Sequence, residues 1–285
     1  MDGTFPPADV PIEDITFADL SASEEELRYK ALISWKQKTK SGRVSAQYRY
    51  TQAFHQRNAE EKFRRVEAIE PHIGNIAKEL TRRMSDGDLQ PTQREGAAIA
   101  SLLLETGLRP TDSSESVKHG HFGAASLQVQ HLLFAGNEVH LDFIGKEGIR
   151  NQSVVREPNM VEYLRSAVQG KQPGDFVFSQ ANSNHAIQTL KESSQAVGGP
   201  ADILLKDLRT LKATKTAEAV VDTFNGPPPP LTGNEKKDTK LLASAILAMS
   251  GEVSKVLNNK PAMARDNYIH PRVWRRWQSK LASVN

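Results

Sequence analysis

Residues 126–155 read SLQVQHLLFAGNEVHLDFIGKEGIRNQSVV. Apolar and polar residues alternate through this stretch, the period of a half-buried strand. Ala-Gly-Asn at 135–137 and Gly-Lys-Glu-Gly at 145–148 interrupt the alternation with turn residues. Residues 122–157 are therefore expected to form a small three-stranded antiparallel sheet. Almost everything around it carries helical periodicity: 58–83 with a break near Pro71, 92–106 stopped by Gly107, then 157–169, 184–196 and 203–222. LLASAILAMSGEVSKVL adds one long helix or a broken pair, and a basic helix with Trp274 and Trp277 follows. The expected fold class is α+β: a mostly helical domain with one small antiparallel sheet.

A small mixed module is expected ahead of it. SASEEEL has a serine cap followed by glutamates, a helix start. Lys-Ser-Gly-Arg at 40–43 then marks a hairpin, with Tyr48 and Tyr50 alternating onto one face of its second strand. The expected division is an acidic flexible tail at 1–22, the module at 23–70 and the large domain at 71–285. NGPPPPLTGNEKKDT supplies a proline-rich loop at 225–238.

The chain has 285 residues, 38% of them hydrophobic, and no cysteine. Disulfides and thiolate chemistry are excluded. No apolar run approaches the ~20 residues of a membrane span, and the acidic, proline-rich start is unlike a signal peptide. A cytosol-like compartment is expected. Net charge is only +3, but it is unevenly placed: eight acids and no base in the first 27 residues, then basic stretches at 28–83 and 260–285. Basic ends of this kind suit a polyanion or a solvated surface equally.

Four islands carry candidate chemistry. Arg109 follows a helix stop and precedes a proline. Lys146 sits at a hairpin tip between glycines. Arg209 lies near a helix start beside Lys206 and Asp207. Tyr268 lies in LNNKPAMARDNYIHPRV, residues 257–273. Singly, each has an ordinary reading: Arg109 paired with Asp112, Lys146 facing solvent, Arg209 one charge of an amphipathic helix, Tyr268 a packing ring.

In this order the islands resemble the catalytic domain of type IB DNA topoisomerases and tyrosine recombinases. LLLETGLRPTD, HFGAASL, FIGKEG, LLKDLRTLKAT and LNNKPAMARDNYIHPRV each resemble a block of the short bacterial and poxvirus-like topoisomerases, and QYRYTQAFHQRNAEEKFRR resembles their N-terminal segment. The resemblance covers roughly 30–280. It implies ATP-independent relaxation of duplex DNA by a monomer through a 3′-phosphotyrosyl intermediate. Tyr268 would be the nucleophile, Arg109 and Arg209 the clamp on the phosphorane oxygens, Lys146 the general acid and Asn259 a hydrogen-bond donor where poxvirus members have histidine. It implies no cofactor and no metal, no membrane, and a cytoplasmic or nucleoid-associated place, or host cytoplasm and virion for a viral chain. Phosphate contacts are expected from Lys36, Lys38, Lys40, Arg43, Tyr48 and Arg49, and from Lys206, Lys212, Lys215 and Arg265. His270 is expected to hold the tyrosine loop. Asp207 is expected to orient Arg209 or cap its helix.

The chain departs from the family pattern in a short N-terminal module, in Leu211 for tryptophan, and in Asn258 for glycine. Two other readings stay open. A site-specific recombinase would exchange strands between two duplexes at a defined sequence. A non-catalytic DNA-binding protein would bind without covalent trapping.

Overall fold

The computed structural model describes residues 10–19, 21–38, 42, 44–111, 114–223 and 232–282. The chain divides into two units between Arg64 and Arg65, six residues before the expected boundary. The reason is local. Helix α2, Gln52–Ile69, runs through the division, and its last turn already buries Val66 and Ile69 in the larger unit's core.

The smaller unit is built on a three-stranded antiparallel sheet, β1 (Ile15–Phe17), β2 (Ile33–Lys38) and β3 (Val44–Arg49), in that order. β1 lies within the stretch 1–22 expected to be a tail. Ile-Thr-Phe is a good strand sequence, and it pairs Ile15 with Trp35 and Phe17 with Ile33. Residues 1–9 and Leu20 lie outside the described residues, as do Lys40 and Arg43 of the expected turn. Trp35 is buried, and Arg49 lies over its ring at 4.9 Å. The expected serine cap is present: Ser23 N–H donates to Glu26 Oε2 (2.9 Å) and Glu26 N–H donates to Ser23 Oγ (3.3 Å), opening the short helix α1, Glu24–Leu27. Thr51 caps α2, accepting from Phe54 N–H at 3.1 Å.

In the larger unit a 3-10 turn at Glu70–His72, carrying Pro71, leads into α3, Ile73–Ser85. Helix α4, Pro91–Thr106, is the central element and buries an unbroken row from Gly96 to Ala100. After α5 (Ser114–Lys118) come β4 (Leu132–Ala135), β5 (Glu138–Ile144) and β6 (Arg150–Val155), antiparallel and in chain order. Helices α6 (Pro158–Ala167) and α7 (Ser183–Ala196) follow. A Cβ at Gly96 would lie 2.6 Å from Thr189 Oγ1 and 3.1 Å from His185 O, so that glycine is what lets α4 approach α7. Helices α8 (Leu205–Thr223), α9 (Glu235–Leu257), α10 (Pro261–Asn267) and α11 (Pro271–Ala282) complete the unit.

One core joins α3, α4, α7 and the sheet. A second lies among α8 to α11, where Ala213, Ala217, Val253, Leu257, Ile269 and Trp277 meet. The fold is thus mostly helical with two small antiparallel sheets. No single helix among the described residues is long and apolar enough to cross a membrane.

Two details differ from the pattern read along the chain. Residues 124–126 and 129–131 form 3-10 turns rather than strand. Side chains intercept the backbone there: Gly123 N–H donates to Ser126 Oγ (3.0 Å) and Gln128 N–H to His131 Nδ1 (3.0 Å). The expected loop at 225–238 ends earlier, because Asn234 caps α9 by accepting from Lys237 N–H at 3.1 Å. Residues 224–231 lie outside the described residues.

Helix α3 also carries a charge cluster with a measurable consequence. Glu79 accepts from Arg82 Nε and Nη2 (both 2.9 Å) and from Arg83 Nε (2.9 Å). Its carboxyl is pulled down to about 2, chiefly by the Arg82 hydrogen bonds, against the upward push of burial and with further help from Arg83. A carboxyl lowered on folding contributes stability that is fully present above its unfolded value of 4.5 and is lost as pH falls through the folded value. Glu79→Gln is therefore expected to flatten the loss of stability between pH 4.5 and about 2, read from urea midpoints in that window and near pH 7. Parallel curves for the two proteins would rule this contribution out.

Candidate active site

Helix ends build the site. Gly107 stops α4 in the left-handed conformation, φ 69°, and its N–H donates to Leu103 O at 2.8 Å. A Cβ there would also come within 3.2 Å of Leu257 and Lys212 side-chain carbons. The chain then leaves the helix as Leu108-Arg109-Pro110. The turn at 124–126 fixes this segment: Ala124 N–H donates to Arg109 O (2.9 Å), Ala125 N–H to Pro110 O (3.0 Å) and Ser126 Oγ–H to Thr111 O (2.8 Å). Gly123 has to be small, since a Cβ would sit 2.7 Å from Arg109 O. Asp112, the ordinary partner considered for Arg109, lies outside the described residues.

Arg209 enters from the second turn of α8 and is 2% exposed. Its Nη1 donates to Gly107 O and its Nη2 to Leu257 O at 2.7 Å, so one guanidinium holds two helix ends. Nε is buried without a hydrogen-bond partner among the described residues. The guanidinium carbon lies 4.8 Å from the centre of the Tyr268 ring. Burial pushes the Arg209 pKa down, Tyr268 opposes this, and the nearby Arg109 charge adds to it. The two guanidinium charges therefore lie within electrostatic reach of one another.

Lys146 is exposed at the β5–β6 turn. Gly145 N–H donates to Ile149 O (2.7 Å), and Glu147 and Gly148 take the left-handed conformation at φ 66° and 72°. A Cβ on Gly145 would collide with the Asn151 amide, which donates to Ile149 O at 2.8 Å. Arg109, Gly123, Lys146, Asn151 and Asn258 line one pocket.

Helix α9 ends in a pair of bonds that place the next residues. Asn258 adopts φ 49° and ψ 57°, its N–H donates to Lys255 O (3.4 Å), and Asn259 N–H donates to Ser254 O (3.1 Å). Both side-chain polar atoms of Asn259 are buried without a partner among the described residues. A buried amide without hydrogen-bond partners is costly.

Tyr268 closes α10, its N–H donating to Ala264 O at 3.0 Å. Thr214 of α8 pins the segment: its hydroxyl donates to Tyr268 O (3.4 Å) and accepts from His270 N–H (3.1 Å). His270 is buried, accepts from Arg272 N–H at Nδ1 (3.0 Å), and presents Nε2 to Glu67 Oε1 (3.1 Å). Burial lowers its pKa, with Glu67 opposing.

Residues 51–285 match the family described as the catalytic core of eukaryotic DNA topoisomerase I. The chain belongs to that family. A DNA topoisomerase 1 of Candida albicans is 26% identical over 170 residues, 56% of this chain. The chain spans only 20% of that relative's length.

Within this topoisomerase I-family chain, the remaining expected residues divide by environment. Lys36, Lys38 and Tyr48 share one face of the small sheet, and Tyr48 is 48% exposed. Arg49 does not join them: it alternates onto the Trp35 face. Lys206 is exposed and Lys212 half-buried. Lys215 is held by Glu70 and by Glu218 (3.5 Å), and Arg265 by Asp266 (2.6 Å), so both cations already have carboxylate partners. Asp207 is wholly buried and pairs with Arg65 at 2.8 and 3.0 Å while accepting from Leu204 N–H at 3.0 Å. It fixes the start of α8 and does not touch Arg209 among its hydrogen bonds. Thr214 and Asn258 escape a reading of the sequence as site residues. A threonine on the inner side of α8 and an asparagine at a helix stop are the available signals.

Proposed function

We propose that this chain relaxes supercoiled duplex DNA without ATP by moving a DNA phosphodiester onto Tyr268 and back. The observation that carries this reading is the Asn259 amide, buried and without a hydrogen-bond partner among the described residues, beside the Arg209-held helix stop. Arg209 Nε, without a hydrogen-bond partner among the described residues, adds a further donor. Donors fixed in advance, with no acceptor among the described residues, suit a pentacoordinate phosphorane better than they suit a protein core.

In this scheme the Tyr268 oxygen forms a bond to phosphorus as the bond to the 5′ oxygen breaks. The phenolic proton leaves to water, and the Lys146 ammonium gives a proton to the departing 5′ oxygen. Arg109 and Arg209 take the non-bridging oxygens, and Asn259 Nδ2 donates to one of them. The released 5′ hydroxyl later attacks the phosphotyrosine and reverses each transfer, so no external energy is used. Asn259 in the histidine position supports placement near the bacterial-like branch. Duplex DNA is the proposed partner and a monomer the proposed active form. Lys36, Lys38, Tyr48, Lys206 and Lys212 are the proposed phosphate contacts.

Supercoiled plasmid incubated with the chain in EDTA, without nucleotide, is expected to relax. Activity is expected to fall steeply between about 50 and 200 mM salt as phosphate contacts are lost. Plasmid that stays supercoiled throughout that range would refute the reading. Covalent trapping without relaxation would move it to site-specific strand transfer.

A further inference from the structure

We propose that Asn258 is a positioning residue that ties the Lys146 hairpin to the Tyr268 segment. This rests on the strand-transfer reading above. β6 is an edge strand, and its outward N–H and C=O at Gln152 need partners. Asn258 supplies both. Its Oδ1 accepts from Gln152 N–H and its Nδ2 donates to Gln152 O, each at 3.2 Å, across 106 positions of sequence. One side-chain amide thus stands in for a neighbouring strand.

The position demands an unusual combination. The backbone must be left-handed to end α9 and send Asn259 into the site, a conformation that asparagine tolerates better than other side chains with a Cβ. The side chain must also offer a donor and an acceptor together. Glycine satisfies the first condition only, and aspartate lacks the donor. Asn258 further lines the pocket that holds Arg109 and Lys146. Two elements that carry different parts of the proposed chemistry are therefore joined at one residue. β6 continues back into the turn with Lys146, and the residue after Asn258 is Asn259. Without the tie, the proton donor is free to shift relative to the leaving oxygen while Tyr268, held by Thr214, stays in place.

The test compares two leaving groups. Relaxation of supercoiled plasmid expels an ordinary 5′ oxygen, which needs a proton. A duplex ending in a 3′-p-nitrophenyl phosphate expels p-nitrophenolate, which needs none. Asn258→Gly keeps the left-handed backbone and is expected to slow relaxation about tenfold while slowing p-nitrophenolate release less than about twofold. Asn258→Asp, which keeps one of the two bonds, is expected to show the same selectivity at smaller amplitude. Lys146→Ala is expected to show it at larger amplitude. Equal losses on both substrates, or no loss in either Asn258 variant, would overturn the tie as a positioning device. A native chain inactive on both substrates would instead overturn the strand-transfer reading, and the positioning role with it.

Discussion

Replacing Tyr268 by phenylalanine is expected to abolish relaxation and leave the fold intact. The side chain's structural work is done mostly by the ring, which lies against Arg209, and by backbone groups held through Ala264 and Thr214. Phenylalanine keeps all of these and removes only the hydroxyl. No thiolate can take over as nucleophile, because the chain has no cysteine. Loss of relaxation by a factor on the order of 10⁴ or more is expected. The thermal midpoint should move by less than about 4 °C. Covalent protein–DNA complexes trapped with detergent should vanish in parallel. A variant that relaxes plasmid at a rate near native would assign the nucleophile elsewhere.

The second large effect is expected at Arg209, and there activity and stability should fall together. Its guanidinium satisfies the carbonyls of Gly107 and Leu257 from a position almost out of water. A lysine ammonium can reach one carbonyl but cannot span both as a planar fork does. Arg209→Lys is expected to lower stability by about 1–3 kcal/mol, the cost of one buried acceptor left open. It should reduce relaxation by roughly 10²–10³-fold, as the loss of one preorganised donor does in other transfers. Arg209→Ala should cost more stability, since both carbonyls lose their partner. Urea denaturation measures the first quantity, and relaxation at a temperature where each variant is folded measures the second. An Arg209→Lys protein with native stability would show that the two helix ends hold without the fork.

What can be read from the chain is what repeats locally. Alternation locates β5 and β6, helical periodicity locates α4, α7 and α8, and the Gly107 stop falls where expected. The candidate site residues stand out through a resemblance spread over separated blocks rather than through any local pattern. Pairings across long separations are not legible. Arg65 and Asp207 stand 142 positions apart, and nothing in the sequence around either announces a buried pair. The fate of individual cations is equally hidden. Lys36 and Lys215 look alike in sequence, yet one lies on an open sheet face and the other between Glu70 and Glu218. β1 escapes because three strand-forming residues sit inside an acidic stretch whose composition dominates the reading.

The grip of Arg209 on two helix ends also bears on how such a protein can change over generations. On the proposed scheme, a lineage that lost strand transfer would be free to discard Lys146 or the Tyr268 hydroxyl, while the Tyr268 ring still packs against Arg209. Arg209 would be retained under selection for folding alone. On the proposed scheme its presence in a descendant would therefore say little about strand transfer, and the hairpin lysine and the tyrosine would say more.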